Sequence, residues 1–176
     1  MKLFKALALS TLLVAAGPVI AEKTTGEMVD DSLIQGEVKA KLVGEDVMGG
    51  MGVNLETRKG VVQLGGFVDD VEKGKKLAEL AATVEGVKEV DNQLHAKRGE
   101  RSTGRAIDDG VATTRVKAAI ASADLGDGVA INIDTYNGVM LLTGFANTDA
   151  SKERAGELAA ADDNVEDVIN GIYVMD

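Results

Sequence analysis

The side chains with chemical potential in this chain are few: one histidine, four adjacent aspartate pairs, one glycine-rich stretch and one cluster of arginines. His95 is the only histidine, and there is no cysteine. A general base needs a proton to take within hydrogen-bond reach and a group to orient it. No nucleophile is paired with His95 in the sequence, so it reads as a surface residue at a strand end. The absence of Cys removes thiolate nucleophiles, thiolate metal ligands and disulfides, and a single His removes multi-histidine metal centres. The pairs Asp30-Asp31, Asp69-Asp70, Asp108-Asp109 and Asp162-Asp163 lack the alternating oxygens and closing Glu of a Ca²⁺ loop. The first three fit helix starts, where carboxylates are favoured and can cap free N–H groups. Gly49-Gly50-Met51-Gly52 has the glycines of a phosphate loop but not its Gly-Lys-Ser/Thr ending, and it precedes a strand rather than a helix. No catalytic, cofactor or metal site is therefore expected. Arg98, Arg101 and Arg105 lie in the one basic stretch and are the candidate contact for an anionic partner, such as lipid headgroups.

Composition narrows the classes further. A net charge of −10 and 3% aromatic residues argue against nucleic-acid binding, which needs a basic face and stacking platforms. Nothing suggests a small-molecule substrate. Residues 1–21 have the pattern of a secretory signal peptide: Lys2 and Lys5, an apolar run from Leu7 to Ala16, then small residues before a cut between Ala21 and Glu22. The apolar run is shorter than the span of about 20 residues that a bilayer needs. With no Cys to carry a lipid, the exported chain is expected to be periplasmic and soluble rather than a lipoprotein. Loss of Lys2 and Lys5 takes its charge from −10 to −12.

The remainder is one unit written twice. A shift of 78 positions overlays residues 30–94 on 108–172 without a gap, with 21 of 65 pairs identical. The division that follows is a tail at 22–29, domain 1 at 30–95, a basic linker at 96–107 and domain 2 at 108–176. Within the first unit, Ile34, Val38 and Leu42 form a helical stripe after an expected cap at Asp31. Met51, Val53, Leu55 and Thr57 alternate as a half-buried strand after the glycines that end the helix. Lys59-Gly60, matched by Asn137-Gly138, marks a hairpin, and Val62-Leu64-Gly66 continues it. Asp69, or Asn147 in the second unit, is the expected cap of a helix carrying Leu77, Leu80, Ala81 and Val84 on one face. Val90, Asn92 and Leu94 alternate as a last strand. The fold class predicted is α+β: two tandem αββαβ domains, each with two helices packed on a three-stranded mixed sheet. Gly60 and Gly138 are the structural glycines of the turns. Gly66 and Gly144, inside strands, are expected where backbone approaches closely, with the Ala-rich helix as the neighbour.

The Asp-Asp start with Val38-Lys39-Ala40, the strand Gly60-Val61-Val62-Gln63-Leu64-Gly65-Gly66-Phe67 with its looser copy at 138–145, and the Val87, Val90, Asn92, Leu94 ending resemble the BON domain. Two copies behind a cleavable signal peptide are similar to the osmotically inducible periplasmic members of that family. The resemblance implies a non-enzymatic Gram-negative envelope protein connected with osmotic or envelope stress. It implies chaperone-like binding of unfolded or outer-membrane client proteins as the leading function, and peripheral binding of an anionic phospholipid surface as the alternative. Open strand edges suit extended clients, and the negative charge would keep a complex in solution.

Overall fold

The computed structural model describes residues 25–44 and 52–175. The expected signal peptide with its cut at Ala21 and Glu22, and Gly49-Gly50-Met51, lie outside the described residues. In domain 1, helix α1 (Thr25–Gly44) leads to strands β1 (Asn54–Arg58) and β2 (Val61–Val68), helix α2 (Val71–Ala81) and strand β3 (Glu89–Ala96). The sheet order is β1-β2-β3, with β1 antiparallel and β3 parallel to the central β2. Domain 2 repeats this with α3 (Thr103–Ser122), β4 (Ala130–Tyr136), β5 (Val139–Ala146), α4 (Asp149–Ala160), β6 (Asp167–Asn170) and the short β7 (Tyr173–Val174). Strands β6 and β7 both run parallel to β5 and together replace β3. The predicted α+β class and the two mixed sheets with two helices each are what the chain forms.

The cores follow the repeat. Val38 and Leu42 of α1 meet Val62, Leu64 and Val68 of β2, Leu77 and Ala81 of α2, and Leu94 of β3. In domain 2, Val116, Met140, Leu142, Ala146, Ala155, Ala159 and Ile172 take the corresponding places. Each cluster closes within its own domain. Lys59 and Gly60 (φ 49° and 82°), like Asn137 and Gly138 (φ 55° and 79°), have positive φ at both turn positions, the hairpin turn that matches strand twist.

Four local expectations shift. Asp31 caps no helix, since α1 starts at Thr25. Its carboxylate instead accepts from Lys59 N and Gly60 N at 2.9 and 2.8 Å, tying α1 to the hairpin turn. Asp109 does the same for Asn137 N and Gly138 N at 2.8 and 2.9 Å, while Ser102 caps α3. The later caps are Asp70 and Thr148, each one residue beyond Asp69 and Asn147. The connection is shorter than residues 96–107, because β3 includes Ala96 and α3 begins at Thr103; Arg105 therefore sits in a helical first turn. Finally, the backbone crowding Gly66 and Gly144 (φ 140° and 109°) comes from the segment entering the preceding strand, not from the helix. A Cβ there would overlap Gly52 O and Ala130 O respectively.

The strand β2 is buried along its whole length, and β5 along all but its first residue. Helices cover one face only, so the second face is covered by the other domain. Even-numbered residues of β2 and β5 enter the two cores. Odd-numbered ones (Val61, Gln63, Phe67; Leu141, Thr143, Phe145) are buried where the two sheets stack. The result is four layers: helices, sheet, sheet, helices.

Candidate functional site at the face between the domains

The stacked face has the symmetry of the repeat. The Asn54 amide donates to the Asp134 carboxylate, and Asn132 Nδ2 donates to Glu56 Oε1 at 3.3 Å. These are the same pair with the domains exchanged, because 54 and 56 become 132 and 134 under the 78-residue shift. Gly65 and Thr143 correspond to each other and also touch: a Cβ on Gly65 would lie 2.7 Å from Thr143 Cγ2. The pseudo-two-fold axis passes between them, as at an isologous dimer interface.

The symmetry of the hydrogen bonds breaks at Gln63. Gln63 is 2% exposed, and its counterpart is Leu141. Its Nε2 donates to Gly171 O at 2.8 Å and to Asp91 Oδ2 at 2.6 Å, and its Oε1 accepts from Gly144 N–H. Gly171 lies in the break between β6 and β7, so close to domain 1 that a Cβ would stand 2.7 Å from Gln93 Oε1. Around the rim, Arg58 Nη1 donates to Gly128 O at 2.5 Å and Tyr173 OH donates to Glu89 Oε2 at 3.0 Å. The face is polar enough to be costly. Thr143 Oγ1 is buried without a partner, and burial pushes the Asp134 carboxyl up from its usual range, against the opposing Asn54 hydrogen bond and the Lys117 charge.

His95 belongs to this seam rather than to the free surface. It lines a cavity of about 250 Å³ with Phe67, Arg98, Tyr136 and Asp167, and its Nε2 is buried without a hydrogen bond. Burial, then the Arg98 charge, holds its pKa below the ordinary histidine value. No Ser, Thr or other nucleophile is hydrogen-bonded to it among the described residues. Among the described residues, no three His, Asp or Glu side chains are grouped so as to hold a metal ion.

The three candidate arginines part company. Arg101 Nε pairs with the buried Asp109 carboxylate at 2.8 Å, and its guanidinium lies 5.3 Å from the Tyr136 ring centre. Arg105 stands 3.7 Å from Asp109 and 2.5 Å from Glu166. Arg98 is exposed, and its carbonyl accepts from the Asn137 amide at 3.1 Å. Tyr136 OH donates to Gly99 O at 3.1 Å, which fastens the linker to domain 2. The larger cavity, about 490 Å³, is at the place in domain 1 that Arg101 and Arg105 fill in domain 2; it is lined by Asp30, Leu33, Ile34, Glu37, Glu85 and Lys88, among others.

Sequence reasoning missed the stacked face and the role of Gln63. A signal for the face was present. Val-Val-Gln-Leu-Gly-Gly-Phe-Val and Val-Met-Leu-Leu-Thr-Gly-Phe-Ala are near-continuous apolar runs, the mark of strands buried on both sides. Helices could cover only one side, so a further layer had to exist.

Comparison with known proteins adds the following. The BON domain family profile matches residues 30–98 and 108–176. Osmotically-inducible protein Y of Escherichia coli (strain K12) is 31% identical over 148 residues, covering 84% of this chain and 74% of that protein. Two solved chains of CdsD, a structural protein of the type III secretion system of Chlamydia trachomatis, align less closely. The C-terminal domain is 19% identical at a TM-score of 0.30, over 83% of this chain and 67% of that one. The other is 16% identical at 0.28, over 79% and 92%.

Proposed function

This chain belongs to the BON domain family, in two copies, and on that premise we propose that it is an osmotic-stress protein of the bacterial envelope that holds extended or unfolded client polypeptide and has no catalytic role. The observation that carries the stress assignment is the 31% identity, along most of both chains, to an osmotically inducible protein. Client holding draws its support from the sheets. Each ends in strands with no further strand beside them among the described residues, and such edges accept extended segments by main-chain hydrogen bonding. The signal-peptide pattern at residues 1–21 supports periplasmic residence. Among the described residues, no helix is long and apolar enough to cross a membrane.

The test is light scattering during dilution of a urea-unfolded outer-membrane β-barrel protein into buffer with the exported form of the chain. Stoichiometric amounts are expected to slow aggregation, and no effect at several-fold excess would end the reading. Flotation with vesicles of rising anionic content runs beside it. Charge-dependent, salt-sensitive recovery in place of client protection would shift the assignment to a lipid surface. Arg101 and Arg105 already serve Asp109 and Glu166, so little of the arginine cluster is left for headgroups.

A further inference from the structure

We infer that the client surface is the stacked face itself: the two domains open like a clasp, and an extended segment with alternating apolar side chains takes the place that β5 holds against β2. This rests on the client-holding reading above and moves the holding from the sheet edges to the stacked face. Three observations lead to it.

The face can be uncovered without unfolding either domain. Every residue of the first core lies between 34 and 94, and every residue of the second between 112 and 172. The two domains are joined only by residues 97–102 outside regular structure, so separation costs the stacked layer and its rim contacts but no part of either core.

The layer is also built to separate. Its centre holds Gln63 and Thr143 rather than an unbroken apolar contact, and its flanks are amide–carboxylate pairs. Water can satisfy each of these groups on opening, and for the unpartnered Thr143 hydroxyl opening is a gain. Interfaces between domains of one chain are commonly of this polar, separable kind.

The present tenant defines the guest. What covers β2 is a strand that turns Val139, Leu141, Thr143 and Phe145 toward it. What covers β5 offers Val61, Gln63 and Phe67. Each face thus suits an extended chain whose inward side chains, at every second position, are mostly apolar with a small or polar one near the middle. That is the pattern of a membrane-barrel strand before insertion.

A cysteine-free chain allows a clean lock. Asn54→Cys with Asp134→Cys, and independently the two-fold mate Glu56→Cys with Asn132→Cys, place one thiol in each domain where the side chains already meet. Closing the pair by oxidation is expected to abolish protection of an unfolded β-barrel client, with full return on reduction. Gln63→Ala acts in the opposite sense and is expected to lower the chain-to-client ratio for half protection, by up to about thirtyfold where that ratio lies well above one, since a more populated open state taxes binding less. Equal protection by oxidised and reduced forms of both pairs overturns the clasp and leaves client holding at another surface. An unchanged ratio for Gln63→Ala, with the domains shown to part more readily, overturns it as well. Failure of the unaltered chain to protect any client removes the client-holding reading and this inference together.

Discussion

Replacing Gln63 by Ala separates the docking of the domains from the stability of each. The side chain is 2% exposed and holds two groups of the other domain, Gly171 O at 2.8 Å and Gly144 N–H. Its third bond, to Asp91, lies within domain 1. A buried backbone group left unsatisfied costs about 1–3 kcal/mol, so two of them set a range of about 2–6 kcal/mol. The vacated space is polar-walled and can admit a water that repairs part of this loss, which points to about 2 kcal/mol. That corresponds to about a thirtyfold rise in the open fraction and an equal fall in protection for amides exposed only by opening. Native-state hydrogen exchange reads this at Gly144, while amides of the helix-facing cores, such as those of Val62 and Met140, are expected to keep their protection. Gln63→Leu is the sharper control. It imitates the natural Leu141 of the other copy, yet it strands the same two groups and should loosen docking by a similar amount. Gly144 protection unchanged in both variants would refute the view that Gln63 closes the face.

Four further outcomes follow from the geometry. Asp109→Ala removes the acceptor of Asn137 N and Gly138 N and the carboxylate partner of Arg101, while Arg105 keeps Glu166; it should cost about 2–4 kcal/mol, mainly for the two stranded N–H groups, and be visible as a lowered urea midpoint for domain 2. Gly144→Ala forces a Cβ onto Ala130 O at a φ of 109° and should destabilise by several kcal/mol, whereas Gly36→Ala in α1 meets nothing within 4 Å and should stabilise by about 0.5–1 kcal/mol through helix propensity, both measured by thermal unfolding. His95 has a folded pKa below its unfolded value of about 6.5, with burial the first cause and Arg98 the second; its contribution is therefore complete above the unfolded value and is lost as pH falls from there toward the folded one. His95→Gln should flatten that part of the stability–pH curve, and an unchanged curve would remove His95 from the seam's pH response.

The helix stripe of Ile34, Val38 and Leu42, the turns at Gly60 and Gly138 and the domain-scale repeat were legible because each depends on near neighbours or on self-comparison. The expected caps differ from the real ones, and at Asp31 and Asp109 the reason is not local. Asp31 and Asp109 look like caps, but their partners are hairpin N–H groups 28 and 29 residues away, a distance no pattern rule spans. The same holds for Arg101 and Arg105. Their spacing advertises a basic patch, and only the fold brings Asp109 and Glu166 against them. Gln63 was visible solely as a letter in a family motif. Its meaning depends on Gly144 and Gly171, which lie 81 and 108 residues away in the other domain.

The need for two copies can be argued from the central strand. A single unit of about 65 residues puts helices on one face of its sheet and leaves Val61, Phe67 or their counterparts bare on the other. A symmetric pair of identical units would cover both bare faces, but each position would then face the same residue set twice. Joining the units in one chain lifts that restriction. One copy keeps Leu141 while the other carries Gln63, and only the second copy breaks its last strand at Gly171 to bring a carbonyl within reach. The join also changes what strength the face needs. Units tethered by a short linker meet at an effective concentration of about millimolar, so a face too weak and too polar to hold two free chains together suffices to close one. Duplication followed by divergence at 63, 141 and 171 thus yields a contact that closes by default and still opens at small cost.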